Sequence, residues 1–188
     1  MKRILTGLAA ATVGLAMLAG CSGGAGQAQA PAGDTIKIGV NFELSGDVAT
    51  YGEANVQGIE MAAEEINQAG GIDGKQIELV KYDTESDAAE ATTLATKLMT
   101  QDKVITVIGP ATSGGMKATI PVAEQNKIPV VSGSATADDV TVDATGVKQF
   151  AFRTCFNDSF QGTAAANYAV SKFSAKMAVI LRDSSSDY

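Results

Sequence analysis

Three short stretches rich in Gly, Ser and Thr hold the residues of this 188-residue sequence best suited to grip a polar ligand. They are Leu44-Ser45-Gly46 through Tyr51-Gly52, Gly109-Pro110-Ala111-Thr112-Ser113-Gly114-Gly115, and Ser132-Gly133-Ser134-Ala135-Thr136. Small residues leave backbone N–H groups open to approach, and hydroxyls donate or accept without bulk. Where such a stretch opens a helix, as at Ser113, the free N–H groups and the helix dipole favour an anion, and a carboxylate fits. The same residues also serve as ordinary helix caps and turns. Three such loops on one sheet edge, with Tyr51 facing the same crevice, exceed what capping alone requires.

Other chemistries lack their central residues. The sequence has no histidine, which removes Ser-His and Cys-His nucleophile pairs and His-based metal sites. Gly109 to Met116 lacks the Lys-Ser/Thr of a P-loop, and no Gly-x-Gly-x-x-Gly opens a helix. Ala111-Thr112-Ser113-Gly114-Gly115 resembles a nucleophile elbow, so a serine hydrolase using Ser113 stands as a distant alternative that lacks a base. Asp83, Glu85, Asp87, Asp138 and Asp139 have no EF-hand spacing and read as solvated acids, so neither a metal nor a cofactor is expected. With 14 Lys+Arg against 21 Asp+Glu, the net charge of −7 also excludes a nucleic-acid partner.

The N-terminus reads as a processed export signal. Lys2 and Arg3 precede an uncharged run from Ile4 to Ala19, short for a membrane span and suited to a signal h-region. Leu18-Ala19-Gly20-Cys21 resembles the lipobox of bacterial lipoproteins, which implies lipidation of Cys21 and removal of residues 1–20. A plain secretory signal cut after Ala28-Gln29-Ala30 and a retained anchor are the competing readings. Residues 21–34, nearly free of charge and of bulky side chains, read as a tether. Cys155 is then the only cysteine of the folded part, expected as a buried, inert thiol with no disulfide partner.

Alternating strands and helices must position the three loops. Ile36 to Val40 alternates as a strand, and Leu44 to Gly52 follows as a loop. Val56, Ile59, Ala63 and Ile66 mark a helix stopping at Gly70-Gly71, and Ile77 to Val80 is a second strand. Ser86 is placed to cap a helix striped by Ala91, Leu94, Ala95 and Leu98, and Val104 to Ile108 is a third strand. A helix lies between Ser113 and Gln125, with Pro121 predicting a kink or late start. Ile128 to Val131 and Phe150 to Phe152 read as further strands, Phe160 to Phe173 as a helix, and Met177 to Leu181 as a sixth strand. This order predicts an α/β fold, a doubly wound parallel sheet with helices on both faces. Ligands of such sheets bind beyond the carboxyl ends of the strands, where the three loops fall. A strand ending one loop before the last residue reads as a fragment; a compact six-stranded domain is the alternative.

Together, Ile36-Lys37-Ile38-Gly39-Val40, Leu44-Ser45-Gly46 with Tyr51-Gly52, Glu65-Ile66-Asn67 before Gly70-Gly71-Ile72-Asp73-Gly74, Tyr82-Asp83, Ile108-Gly109-Pro110, Ser134-Ala135-Thr136, Phe152-Arg153-Thr154 and Gln161-Gly162 form a recognisable series. It resembles the Leu/Ile/Val-type substrate-binding proteins of ABC importers, over nearly the whole of the mature chain. The resemblance implies a type I periplasmic-binding-protein fold, with a first α/β lobe over residues 35–151 and a crossover and beginning of a second lobe over 152–188. It implies Ser113 and Thr136 as carboxylate binders, the Ser134-Ala135-Thr136 loop as an ammonium contact through the Ser134 carbonyl, and Tyr51 and Tyr188 along the pocket. It also implies a small amino acid as ligand, a branched-chain one first, with a permease as partner and a lipid anchor at the membrane. The acidic residue that pairs with the ammonium in such proteins would lie past Tyr188. A disulfide of some members falls where this sequence has Asp87 and Thr112, so that staple is absent. A sensor or receptor of the same fold for amides, urea or aromatic acids is the alternative function.

Overall fold

The computed structural model describes residues 35–182. Strands β1 (Ile36–Phe42), β2 (Ile77–Asp83), β3 (Thr106–Ile108) and β4 (Val130–Ser132) alternate with helices α1 (Ala49–Gln68), α2 (Ala88–Lys97) and α3 (Ser113–Asn126). A two-stranded antiparallel ribbon, β5 (Val142–Asp143) and β6 (Gly146–Val147), then precedes β7 (Ala151–Arg153) and α4 (Asp158–Phe173). The main sheet runs β2-β1-β3-β4-β7 with every pair parallel, Ile36 facing Ile77 and Val107 facing Val130.

Parallel neighbours need crossover helices, and these cover the sheet on both faces. On one face Val40, Phe42 and Ala111 pack with Val56 and Ile59 of α1. On the other, Val107, Val130 and Ala151 pack with Ala95, Met116, Ile120 and Ala123 of α2 and α3. Alternate residues of a strand serve opposite helices, as Val107 and Ile108 do. The chain adds β2 on one side of β1, then returns to add β3 on the other. The order therefore reverses between β1 and β3, and the loops leaving those two strands diverge into a crevice.

Local chemistry explains most helix ends and corrects several expectations. Asp87, not Ser86, caps α2 by accepting from Glu90 N at 2.8 Å. Ser86 sits in the left-handed region at φ 60°, and its hydroxyl donates to Ser45 O at 2.7 Å instead. Helix α1 begins at Ala49, so Tyr51 and Gly52 lie in its first turn and the preceding loop ends at Val48. Helix α3 runs through Pro121, which removes one hydrogen bond. Burial of Met116, Thr119, Ile120, Val122 and Ala123 around it holds the helix together. Met177 to Leu181 is not a strand: it pairs with no strand among the described residues, and Val179 and Leu181 are about nine-tenths exposed. An apolar run becomes a strand only where a neighbour receives its N–H and C=O groups.

Candidate functional site

The carboxyl ends of β1, β3 and β4 carry the three Gly/Ser/Thr loops, and side-chain bonds lock these loops to one another. Asp83, the last residue of β2, accepts from Leu44 N, Ser45 N and Glu85 N at 2.9, 3.1 and 2.8 Å through one carboxylate oxygen. Desolvation alone would raise its pKa, but the hydrogen bonds from Ser45, Glu85 and Leu44 together outweigh it and hold the carboxyl below its ordinary value. Glu43, 2% exposed, accepts from Ala111 N at 2.9 Å, Thr112 N at 3.1 Å and the Thr112 hydroxyl at 2.7 Å, joining β1 to the loop after β3. The Ser132 hydroxyl donates to Pro110 O at 2.7 Å and the Ser134 hydroxyl to Ala111 O at 2.8 Å, joining the loops after β3 and β4.

Two glycines make this closeness possible. A Cβ on Gly52 would sit 1.9 Å from the Glu43 carbonyl oxygen. At Gly109, φ is +104° and a Cβ would lie 2.1 Å from Asn41 O, so an L side chain is excluded there twice over.

The loops enclose an open cleft of about 790 Å³. Tyr51, Ser113, Ser134 and Thr136 all line it, together with Glu43, Thr112, Gly114 and Gly115 and, just past β7, Cys155 and Phe156. Tyr51 projects from α1 and is 60% exposed. Thr112 caps α3 by accepting from Gly115 N at 3.2 Å, while the N–H groups of Ser113 and Gly114 find no partner among the described residues. The Ser113 hydroxyl is fully buried and accepts from Ala137 N at 3.1 Å, a posture that does not present it as an exposed nucleophile. Thr136 is 4% exposed, and its hydroxyl has no hydrogen-bond partner among the described residues. Buried hydroxyls are almost always paired; of the three buried polar side-chain atoms without a partner among the described residues, the others being Asn41 Oδ1 and Thr84 Oγ1, it alone belongs to a residue lining the cleft.

Ala135 is not brought to the cleft wall. Its methyl belongs to the core, and its carbonyl accepts from Arg153 Nη1 at 3.3 Å and from the Cys155 thiol at 3.5 Å. Arg153 Nη1 also donates to Thr136 O at 3.1 Å and Ala137 O at 2.8 Å, so one guanidinium from β7 shapes the backbone that presents Thr136. Cys155 is half-buried on the rim rather than in the core. Tyr188 and Cys21 lie outside the described residues. Sequence reading missed Glu43 and Arg153. An acid directly after the last residue of β1 was the only signal for the first, and its partners lie 68 and 69 residues away.

Among the described residues no cluster of His, Cys, Asp or Glu is placed to hold a metal, and no helix is long and apolar enough to cross a membrane. Fold and cleft together define an α/β lobe with an open crevice at its switch point. The family model described as "Periplasmic binding protein" matches residues 35–187, and the chain belongs to that family. It is 36% identical over 170 residues to the Leu/Ile/Val-binding protein of Escherichia coli strain K12, covering 90% of this chain and 45% of that one. It is 35% identical over 152 residues to the leucine-, isoleucine-, valine-, threonine- and alanine-binding protein of Pseudomonas aeruginosa, covering 81% and 40%. The branched-chain amino acid transporter substrate binding protein of Streptococcus pneumoniae, solved in complex with isoleucine, superposes with a TM-score of 0.77 at 48% identity over 82% of this chain and 43% of that one. The chain thus spans less than half the length of the relatives it matches.

Proposed function

We propose that this chain supplies the first-lobe half of an extracytoplasmic solute-binding protein that captures a small amino acid, a branched-chain one first, and delivers it to an ABC permease. The observation that carries this reading is the buried, unpartnered Thr136 hydroxyl in a cleft that also receives the free Ser113 and Gly114 N–H groups. One carboxylate matches these three donors, because charge-assisted bonds to neutral N–H and O–H groups hold an anion without a counter-charge. The Ser134 carbonyl, which accepts no hydrogen bond among the described residues, is left to receive an ammonium. Tyr51 and Tyr188 would flank the ligand side chain. Residues 35–151 act as the first lobe, and the crossover from residue 152 leads to a second lobe that closes over the ligand as a rigid body. Removal of residues 1–20 and lipidation of Cys21 would anchor the protein at the outer face of the membrane, with residues 21–34 as spacer.

Titration calorimetry on the full-length protein tests the reading with leucine, isoleucine and valine beside an amide, urea and an aromatic acid. Saturable binding of the branched-chain amino acids is expected. Preference for urea, an amide or an aromatic acid would move the protein to the receptor alternative, and ester turnover with covalent labelling of Ser113 would replace binding by hydrolysis. Lipid label retained by a Cys21→Ser variant would refute the anchor.

A further inference from the structure

The front of α3 already holds an anion of the protein's own. Glu43 is nearly inaccessible, its backbone is pressed against Gly52, and its carboxylate takes the Ala111 and Thr112 N–H groups and the Thr112 hydroxyl. It therefore fixes the peptide orientation of the loop that presents Ser113 and Gly114. It also places a buried negative charge in the cleft wall, beside donors that are all neutral. Among the described residues lining the cleft there is no lysine or arginine, whereas Asp47 and Asp87 add two further acids at its exposed edge. In a partly desolvated crevice, like charges repel far more than in water. A ligand carboxylate bound there meets that repulsion unless the ligand brings a cation with it.

We propose that Glu43 is the specificity-determining residue of this half-site: it positions the Ala111–Thr112 loop and selects a carboxylate that carries its own ammonium over a net-anionic carboxylate of the same shape. This rests on the amino-acid reading of the cleft. Leucine and isocaproate, which is leucine without its amino group, are matched probes because they share the side chain and the carboxylate. The measurement is the ratio of their dissociation constants in the full-length protein, wild type and Glu43→Gln. The amide keeps the volume but turns an N–H₂ group toward donors and removes the charge.

In the variant, leucine should bind more weakly while the preference for leucine over isocaproate narrows by about tenfold, the effect of a like charge able to shift a titration by one unit. A parallel loss for both probes, leaving the ratio unchanged, would reduce Glu43 to a structural brace and overturn the proposal. Should Glu43→Gln fail to fold, the wild-type protein can still overturn the proposal, because isocaproate binding within tenfold of leucine is incompatible with a charge filter. If the wild-type protein prefers a neutral amide, the amino-acid reading falls, and exclusion of isocaproate stands or falls on its own titration.

Discussion

Replacing Thr136 by valine should make the ligand-free protein more stable and the binding protein worse. Thr136 is 4% exposed and its hydroxyl is unpartnered, so in the empty cleft it carries the desolvation cost of a polar group without a compensating bond. Such a group costs about 1–3 kcal/mol. Valine keeps the branched shape and removes the polar atom, so unfolding by urea should shift toward higher stability by about 1 kcal/mol, the low end, since water reaches the cleft. In the complex the hydroxyl would donate to a carboxylate, a bond worth about 1.5–3 kcal/mol. Calorimetry should then show affinity for leucine falling by roughly 10- to 150-fold. Both halves are read on one full-length variant. Unchanged affinity would refute the role of Thr136 as a carboxylate donor, and a stability loss with weakened binding would mean that the hydroxyl is a structural partner after all.

Other perturbations probe the frame around the cleft. Gly52→Ala sets a methyl carbon against the Glu43 carbonyl, where neither backbone can retreat, and should cost about 3 kcal/mol in urea unfolding; a wild-type midpoint would show that α1 does not press on β1 as described. Met116→Ala empties a fully buried site between α3 and the sheet and should cost about 2–5 kcal/mol by the same assay, with leucine affinity largely retained. The Asp143 carboxyl is held down at about 2, first by Lys148, then by the Thr145 side chain and backbone. A carboxyl lowered on folding stabilises the ribbon above the ordinary value of about 3.9, and that contribution is lost as pH falls through about 2. The Thr145 amide in an NMR titration should therefore stay in its native environment at pH 3 and shift near pH 2; a midpoint near 4 would discount the Lys148 pair.

The sequence by itself determined the layered α/β plan, because hydrophobic period is a property of neighbouring residues. Alternation at Ile36 to Val40 makes a strand wherever it lies, and Val56, Ile59, Ala63 and Ile66 make one helix face in any context. The loops that bear Ser113, Ser134 and Thr136 were legible for the same reason, since Gly, Ser and Thr punctuate the pattern. Two-residue strands such as β5 and β6 fall below that resolution, and Met177 to Leu181 shows the converse, a strand-like run with no partner strand beside it. What only the tertiary structure decided were the pairings across long stretches of chain. These are Glu43 with Ala111 and Thr112, Arg153 with three carbonyls of the loop after β4, and Asp83 with the loop after β1. No local preference encodes such a bond, because its energy depends on where the sheet order brings two distant strand ends. That order, reversed between β1 and β3, leaves the Thr136 hydroxyl buried and unpaired while turning Ala135 into the core.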